Sequence, residues 1–459
     1  MSTLVLQKQY HATGTTLPLA FRLRQLRVLY RAIRDREEEI AAALHADLGK
    51  SREEAYLTEI GLALTELRHT IRHLADWSRP RRVPTPLVHQ PGRSTLLREP
   101  YGVCLIIAPW NYPFLLSITP LISAMAGGNC ATLKPSELAP RTAAVLERLI
   151  RDCFEPRYLR TVLGGAETAA AETRAGYDFI FFTGSERVGR LVLSAAAEHL
   201  TPVVLELGGK SPCIVDGSAP LRTAARRIAW GKLLNAGQTC VAPDYLLVHR
   251  SVKGPLTEQL RRAAREFYGA DPCRNPDCPR IVTPGHFRRL AGLVEELPPA
   301  RRLIEGGRDP ASRRMGLTVL DCGSVSDPFP CRAMEEEIFG PVLPLLTYDS
   351  LDEALAFAAA QPKPLALYLF SRQKEVQRRV MGRLSFGGGC VNDTVSHLAT
   401  PFLPFGGVGA SGMGAYHGRY GFEAFTHPKG VLSRGLVPDL PLRYPPLNGR
   451  LPLFRLLLR

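Results

Sequence analysis

A thiol that adds to a carbonyl and a carboxylate that activates water are the two groups needed to build a covalent thioester and hydrolyse it. The chain carries both in small-residue, glycine-rich surroundings, where backbone can approach a substrate closely. Cys240 sits in Gly237-Gln238-Thr239-Cys240-Val241-Ala242-Pro243, and Glu206 in Leu205-Glu206-Leu207-Gly208-Gly209-Lys210. Taken alone, Cys240 reads as a buried structural thiol and Glu206 as a strand-end acid. Their joint occurrence with five further segments, in one order along the chain, changes that balance.

Each of those segments also has a plainer reading. In Pro109-Trp110-Asn111-Tyr112-Pro113 the Asn111 amide can donate to a developing oxyanion, or Asn111 can simply form a turn between prolines. In Leu133-Lys134-Pro135-Ser136-Glu137, Lys134 and Glu137 are candidates for a ribose, and Glu137 would repel a 2′-phosphate. The alternative is a helix start capped by Ser136, with Glu137 in its first turn. Phe182-Thr183-Gly184-Ser185 offers a strand-to-helix turn whose amides could face a pyrophosphate, though without the G-x-G-x-x-G spacing. Glu337 and Phe339, in Glu335-Glu336-Glu337-Ile338-Phe339-Gly340-Pro341, could hold a ribose and pack on a cofactor, or be a solvated charge run ending in a core Phe. Pro404-Phe405-Gly406-Gly407 opens a stretch too rich in glycine for a regular element.

The elements that must position these groups are legible from periodicity. Leu19, Leu23, Leu26, Leu29, Ile33, Ile40 and Leu44 recur at helical spacing and predict one long helix over 18–48, with a second over 52–76. Arg79 to Pro86 reads as a linker. Beyond it, continuous apolar runs predict strands buried on both faces at 103–108, 130–133, 179–182 and 203–205. Further strands are expected at 212–215, 245–249, 342–347, 366–370 and 388–391, with helices between them. That alternation argues for an α/β fold of two doubly wound parallel sheets with a cleft between them.

Composition excludes more than it selects. The 459 residues, 45% hydrophobic and 22% charged, are ordinary for a globular chain of two or three domains. The net charge of +15 is dispersed, much of it on helical arginines such as Arg22, Arg24, Arg27, Arg31 and Arg34. It therefore reads as a basic surface rather than a nucleic-acid groove. Ten cysteines in a chain this long are not a disulfide framework, and Cys273 and Cys278 lack a second pair at zinc spacing, so no metal is expected. Met1 to Tyr10 lacks a signal-peptide layout, and no uncharged run approaches the ~20 residues of a membrane span. A cytoplasmic location follows as the expectation. The apolar, basic end, Leu451 to Arg459, is expected to dock on the body.

Together the motifs resemble the NAD(P)-dependent aldehyde dehydrogenase superfamily over about residues 18–430. Gly-Gln-Thr-Cys-Val-Ala-Pro-Asp-Tyr at 237–245 and Met-Gly-Ala-Tyr-His-Gly at 413–418 resemble its class 3, fatty and aromatic aldehyde branch. The resemblance implies Cys240 as nucleophile, Asn111 with the Cys240 amide as oxyanion donors, and Glu206 as the base that activates water. It implies cofactor contacts from Trp110, Lys134, Glu137, Gly184, Ser185, Glu337 and Phe339, with NAD favoured and NADP also accepted. The implied division is an NAD(P)-binding domain over 1–82 and 105–207, and a catalytic domain over 208–394. A bridging and oligomerisation segment would take 83–104 and 395–435, and a C-terminal tail 436–459. The implied partners are an aldehyde, a second copy in a homodimer, no nucleic acid, and at most a weak peripheral membrane contact. Acylating relatives that pass the thioester to coenzyme A generally do without the acid that Glu206 supplies here.

Overall fold

The computed structural model describes residues 3–437, 439 and 441–458; Met1, Ser2 and parts of the tail expectation (Pro438, Leu440, Arg459) lie outside the described residues. Every expected strand is present. Val103–Ile107, Cys130–Lys134 and Phe179–Thr183 are buried along their whole length, as continuous β-branched and aromatic runs require when helices cover both faces. They join Leu159–Thr161 and Val203–Glu206 in a parallel sheet, whose far edge is closed by the antiparallel pair Gly412–Met413. The second sheet has seven strands. Pro212–Val215, Tyr245–His249 and Val342–Tyr348 lie at its centre, and only Arg302–Ile304 at one edge runs antiparallel. A third, exposed antiparallel ribbon is formed by Arg81–Val83, Gly92–Pro100 and Thr426–Arg434. The expected linker thus contributes a short strand. Of the stretch 395–435, Thr426–Arg434 joins this ribbon, whereas Gly412–Met413 pairs with the strand that ends at Glu206.

The helical expectations are refined in three places. The long helix over 18–48 is two, Leu19–Asp35 and Glu37–Leu48, because Arg36 leaves helical torsions at φ −111°. Glu37, Glu38 and Glu39 then sit in a first turn, where carboxylates meet the positive end of the helix dipole. The second helix carries a π turn at Tyr56–Ile60 before continuing as Gly61–Trp77. And Ser136 does not cap the helix Pro140–Cys153. Asp47, from the end of the helix Glu37–Leu48, does so instead, accepting from the backbone of Arg141 and Thr142 at 3.1 and 2.8 Å. The tail does not dock as expected: its short helix Leu451–Leu457 leaves Leu456 and the adjoining Leu458 about three-quarters exposed. No helix among the described residues is long and apolar enough to cross a membrane.

The π turn has a consequence for the segment 109–113. It places Glu59, fully buried, where one carboxylate oxygen accepts from the backbone N–H groups of Phe114 and Leu115 at 2.9 and 3.1 Å, at the start of helix Leu115–Gly127. The other oxygen meets the equally buried Lys50 ammonium at 2.5 Å. Lys50 in turn lies over the Tyr112 ring at 4.0 Å and reaches the Asn111 carbonyl at 3.4 Å. Breaking one member of a buried pair leaves an uncompensated charge, which is costlier than losing the attraction itself. Lys50→Met is therefore expected to lower unfolding stability by about 3 kcal/mol or more, read from the denaturant midpoint; an unchanged midpoint would show that the pair does not hold this segment.

Candidate active site

Three successive residues in left-handed conformation, Asn235 (φ 51°), Ala236 (φ 54°) and Gly237 (φ 74°), turn the chain sharply after helix Leu221–Leu233 and deliver Cys240 to a cleft. Only Gly237 adopts such torsions without strain, so the other two must be held by their surroundings. Glu54 accepts from the Asn235 N–H at 2.8 Å, and the Asn235 side chain donates to the Asn111 carbonyl at 2.7 Å. Gln238 braces the other side: its amide nitrogen donates to the carbonyls of Asn235 and Arg280, both at 3.0 Å, and its oxygen accepts from Val282 N–H at 2.9 Å. Beside Cys240, Thr239 shares a 2.6 Å hydrogen bond with Tyr112.

Glu206 ends its strand on the wall of the same cavity, which encloses about 190 Å³ and is otherwise almost wholly apolar, with Leu57, Leu62, Leu116 and Leu398 among its lining. Glu206 is 2% exposed, and among the described residues neither carboxylate oxygen has a hydrogen-bond partner. Burial alone pushes its pKa well up. Cys240 is held as a thiol for a similar reason. Burial raises it first, then the nearby Glu337 and Glu206 carboxyls, against the opposing amides of Cys240 and Val241. The Asn111 side-chain nitrogen donates to the Gln238 carbonyl at 3.1 Å, two residues before the thiol.

Trp110, Lys134, Glu137, Gly184 and Ser185 stand at the carboxyl ends of parallel strands, where ligands bind in open α/β sheets, whereas Glu337 and Phe339 precede the strand Val342–Tyr348 of the second sheet. Lys134, itself buried, pairs with the half-exposed Glu137 at 3.0 Å. Gly184 N–H donates to the Glu206 carbonyl at 3.0 Å, and Ser185 caps the twelve-residue helix Glu186–Ala197 through Val188 N–H. A Cβ at Gly184 would lie 2.5 Å from the Phe182 ring, so no side chain fits between them. Glu337 lies against Gly208, where a Cβ would come within 2.2 Å of its carboxylate; burial first, then Asp244, pushes it up to about 8. Phe339, also left-handed at φ 52°, meets the Trp110 ring edge to face at 5.4 Å. A carboxylate at each end, a capped helix start in the middle and an aromatic pair beside it fit a dinucleotide with two ribose diols. Among the described residues no group of three or more His, Cys, Asp or Glu is arranged to hold a metal ion.

Sequence reasoning missed the supports. Lys210, inside a quoted motif, spans to Asp244 at 2.5 Å and to the carbonyls of Ala333 and Glu336, while Asp244 accepts from Ile338 N–H at 2.9 Å; together they pin the Glu337 segment. Glu54 and Glu59 on helical turns, Lys50 in the loop between two helices and Asn235 in the turn before Cys240 carried no local signal. Because burial and two carboxyls hold Cys240 protonated, alkylation of the cofactor-free protein by iodoacetamide should rise about tenfold per pH unit between pH 7 and 9, measured against Cys240→Ala. A plateau below pH 7 would mean a thiolate already formed.

A sequence profile of the aldehyde dehydrogenase family matches residues 7–431. The chain is 48% identical to a 4,4'-diaponeurosporen-aldehyde dehydrogenase of Staphylococcus aureus, covering 96% of this chain and 95% of that one. It is 42% identical to a rat (Rattus norvegicus) protein named aldehyde dehydrogenase, dimeric NADP-preferring, covering 96% of each. A solved structure of the substrate-bound state of Staphylococcus aureus AldH superposes with a TM-score of 0.96 at 46% identity, over 100% of this chain and 99% of that one. With the profile spanning nearly its whole length and relatives this similar, the chain belongs to the aldehyde dehydrogenase family, on the class 3 side, and is an NAD(P)-dependent aldehyde dehydrogenase.

Proposed function

We propose that the chain oxidises medium- or long-chain aliphatic and aromatic aldehydes to carboxylic acids, with Cys240 as nucleophile and Glu206 as the base for hydrolysis. One observation carries the reading: the thiol and an unpartnered buried carboxyl wall one apolar cavity. The Cys240 thiol gives its proton to water, and its sulfur adds to the aldehyde carbon as the carbonyl π pair moves onto oxygen to form an oxyanion. The Cys240 N–H and the Asn111 side-chain amide stabilise that oxyanion; at rest the Asn111 amide donates to the carbonyl of Gln238, two residues before the thiol. NAD(P), when bound, supplies the hydride acceptor that turns the cysteine adduct into a thioester. Glu206 then takes a proton from water as the water attacks the thioester carbonyl, and the Cys240 thiol is released with the acid. Water entering the cavity favours the charged form of Glu206, which burial suppresses at rest.

In the same reading, Lys134 and Glu137 take the adenosine ribose, Gly184 and Ser185 the pyrophosphate, Glu337 the nicotinamide ribose, and Phe339 with Trp110 the face of the nicotinamide end. The negative charge of Glu137 favours NAD over a 2′-phosphate, with NADP still accepted. The first sheet with residues 1–82 and 105–207 serves as the cofactor domain and 208–394 as the catalytic domain. Residues 83–104 and 395–435 are assigned to bridging; the exposed ribbon at Thr426–Arg434 supports pairing of two copies, in line with a relative named dimeric. We place the enzyme in the cytoplasm, without nucleic acid and with at most weak membrane contact.

The test is NADH formation at 340 nm from hexanal and benzaldehyde. Steady turnover without coenzyme A is expected, with at least a 10³-fold loss in Cys240→Ala, in line with removal of a nucleophile. Turnover that starts only when coenzyme A is added would make the enzyme an acylating one.

A further inference from the structure

The substrate cavity has a side chamber. Leu62, Leu115, Leu398, Ala399 and His417 wall both spaces, and the chamber, of about 20 Å³, is completed by Thr65, Glu66 and Thr119. That volume holds one water-sized group and no more. Glu66 is 7% exposed. One of its oxygens accepts from Gly418 N–H at 2.6 Å; among the described residues the other accepts from nothing. Its surroundings offer no cation. Burial pushes the Glu66 carboxyl up to about 7, and His417 is kept a neutral imidazole, burial lowering it to about 4. An uncharged hydrogen-bond donor of hydroxyl size is the group that fits this space and completes Glu66.

The chamber lies beside the space that Cys240 enters. Leu115, at the start of helix Leu115–Gly127, walls both, and Thr119, one turn further along the same helix, faces the chamber alone.

We propose that the side chamber is a recognition site for a distal hydroxyl, so that the enzyme prefers aldehydes carrying a hydroxyl remote from the carbonyl. This rests on the reading of Cys240 as the nucleophile that fixes the carbonyl end. A plain alkyl chain of the same length puts a methyl against the unpaired oxygen, whereas a hydroxyl exchanges its lost water for Glu66. Sites built around a buried hydrogen-bonding group discriminate in this way against analogues lacking the partner.

The experiment compares kcat/KM for unsubstituted and ω-hydroxy straight-chain aldehydes, from four to twelve carbons, by NADH formation. Wild type should favour the hydroxy member by roughly tenfold at the matching length, mainly through KM, and show no preference at four carbons. Glu66→Leu and, independently, the near-isosteric Thr119→Val should each reduce the ratio, Glu66→Leu to near one. Poor folding of a variant lowers both substrates together and leaves the ratio readable. Equal efficiencies at every length in wild type, or a preference that survives Glu66→Leu, would overturn the proposal. Failure of the underlying reading is separable, because then no aldehyde, hydroxylated or plain, would give NADH.

Discussion

The geometry of this active site depends on a backbone that does not want its own conformation. Asn235, Ala236 and Gly237 run left-handed in succession, and two of the three pay steric strain of order 1–3 kcal/mol each to do so. The strain persists because buried polar groups from distant parts of the chain overdetermine it: Glu54 on one side, and on the other Gln238 tied to Arg280 and Val282. The same Asn235 side chain binds the Asn111 carbonyl, so the nucleophile loop and the oxyanion-donor segment share one bracket. Behind Asn111 stands the Lys50–Glu59 pair, which anchors the start of the next helix. The thiol and its amide donor are thereby tied into one chain of hydrogen bonds running from the first helices of the molecule to the loop at Arg280 and Val282.

The electrostatics follow from the same enclosure. An apolar cavity large enough for a hydrocarbon tail also pushes the pKa values of Glu206 and Cys240 up, and Glu337 raises the thiol further. Neither group is poised at rest. A carboxyl without partners has freedom to turn, however, and desolvation can be relieved by the water it must activate.

Much of this was legible in the residues. Strands such as Val103–Ile107 and Phe179–Thr183 announce themselves because a run buried on both faces has no polar positions to confuse the pattern. Cys240 and Glu206 lie in short glycine-bearing motifs, and the fold brings both to the wall of one cavity. What stayed hidden is what depends on partners far apart in sequence. The break at Arg36, the capping of helix Pro140–Cys153 by Asp47 and the π turn that aims Glu59 have no local signature; each is decided by packing between helices. The tail misled for the opposite reason: its leucines look like a docking surface, yet Leu451, Leu456 and Leu458 remain mostly in solvent.

The most direct test of the central claim, that Cys240 carries a thioester which Glu206 hydrolyses, is intact-protein mass spectrometry of Glu206→Gln quenched after mixing with hexanal and NAD. The account predicts one equivalent of NADH formed in a burst and a single added hexanoyl mass that maps to Cys240 and persists for minutes. Unimpeded multiple turnover by Glu206→Gln, with no acylated protein, would contradict it.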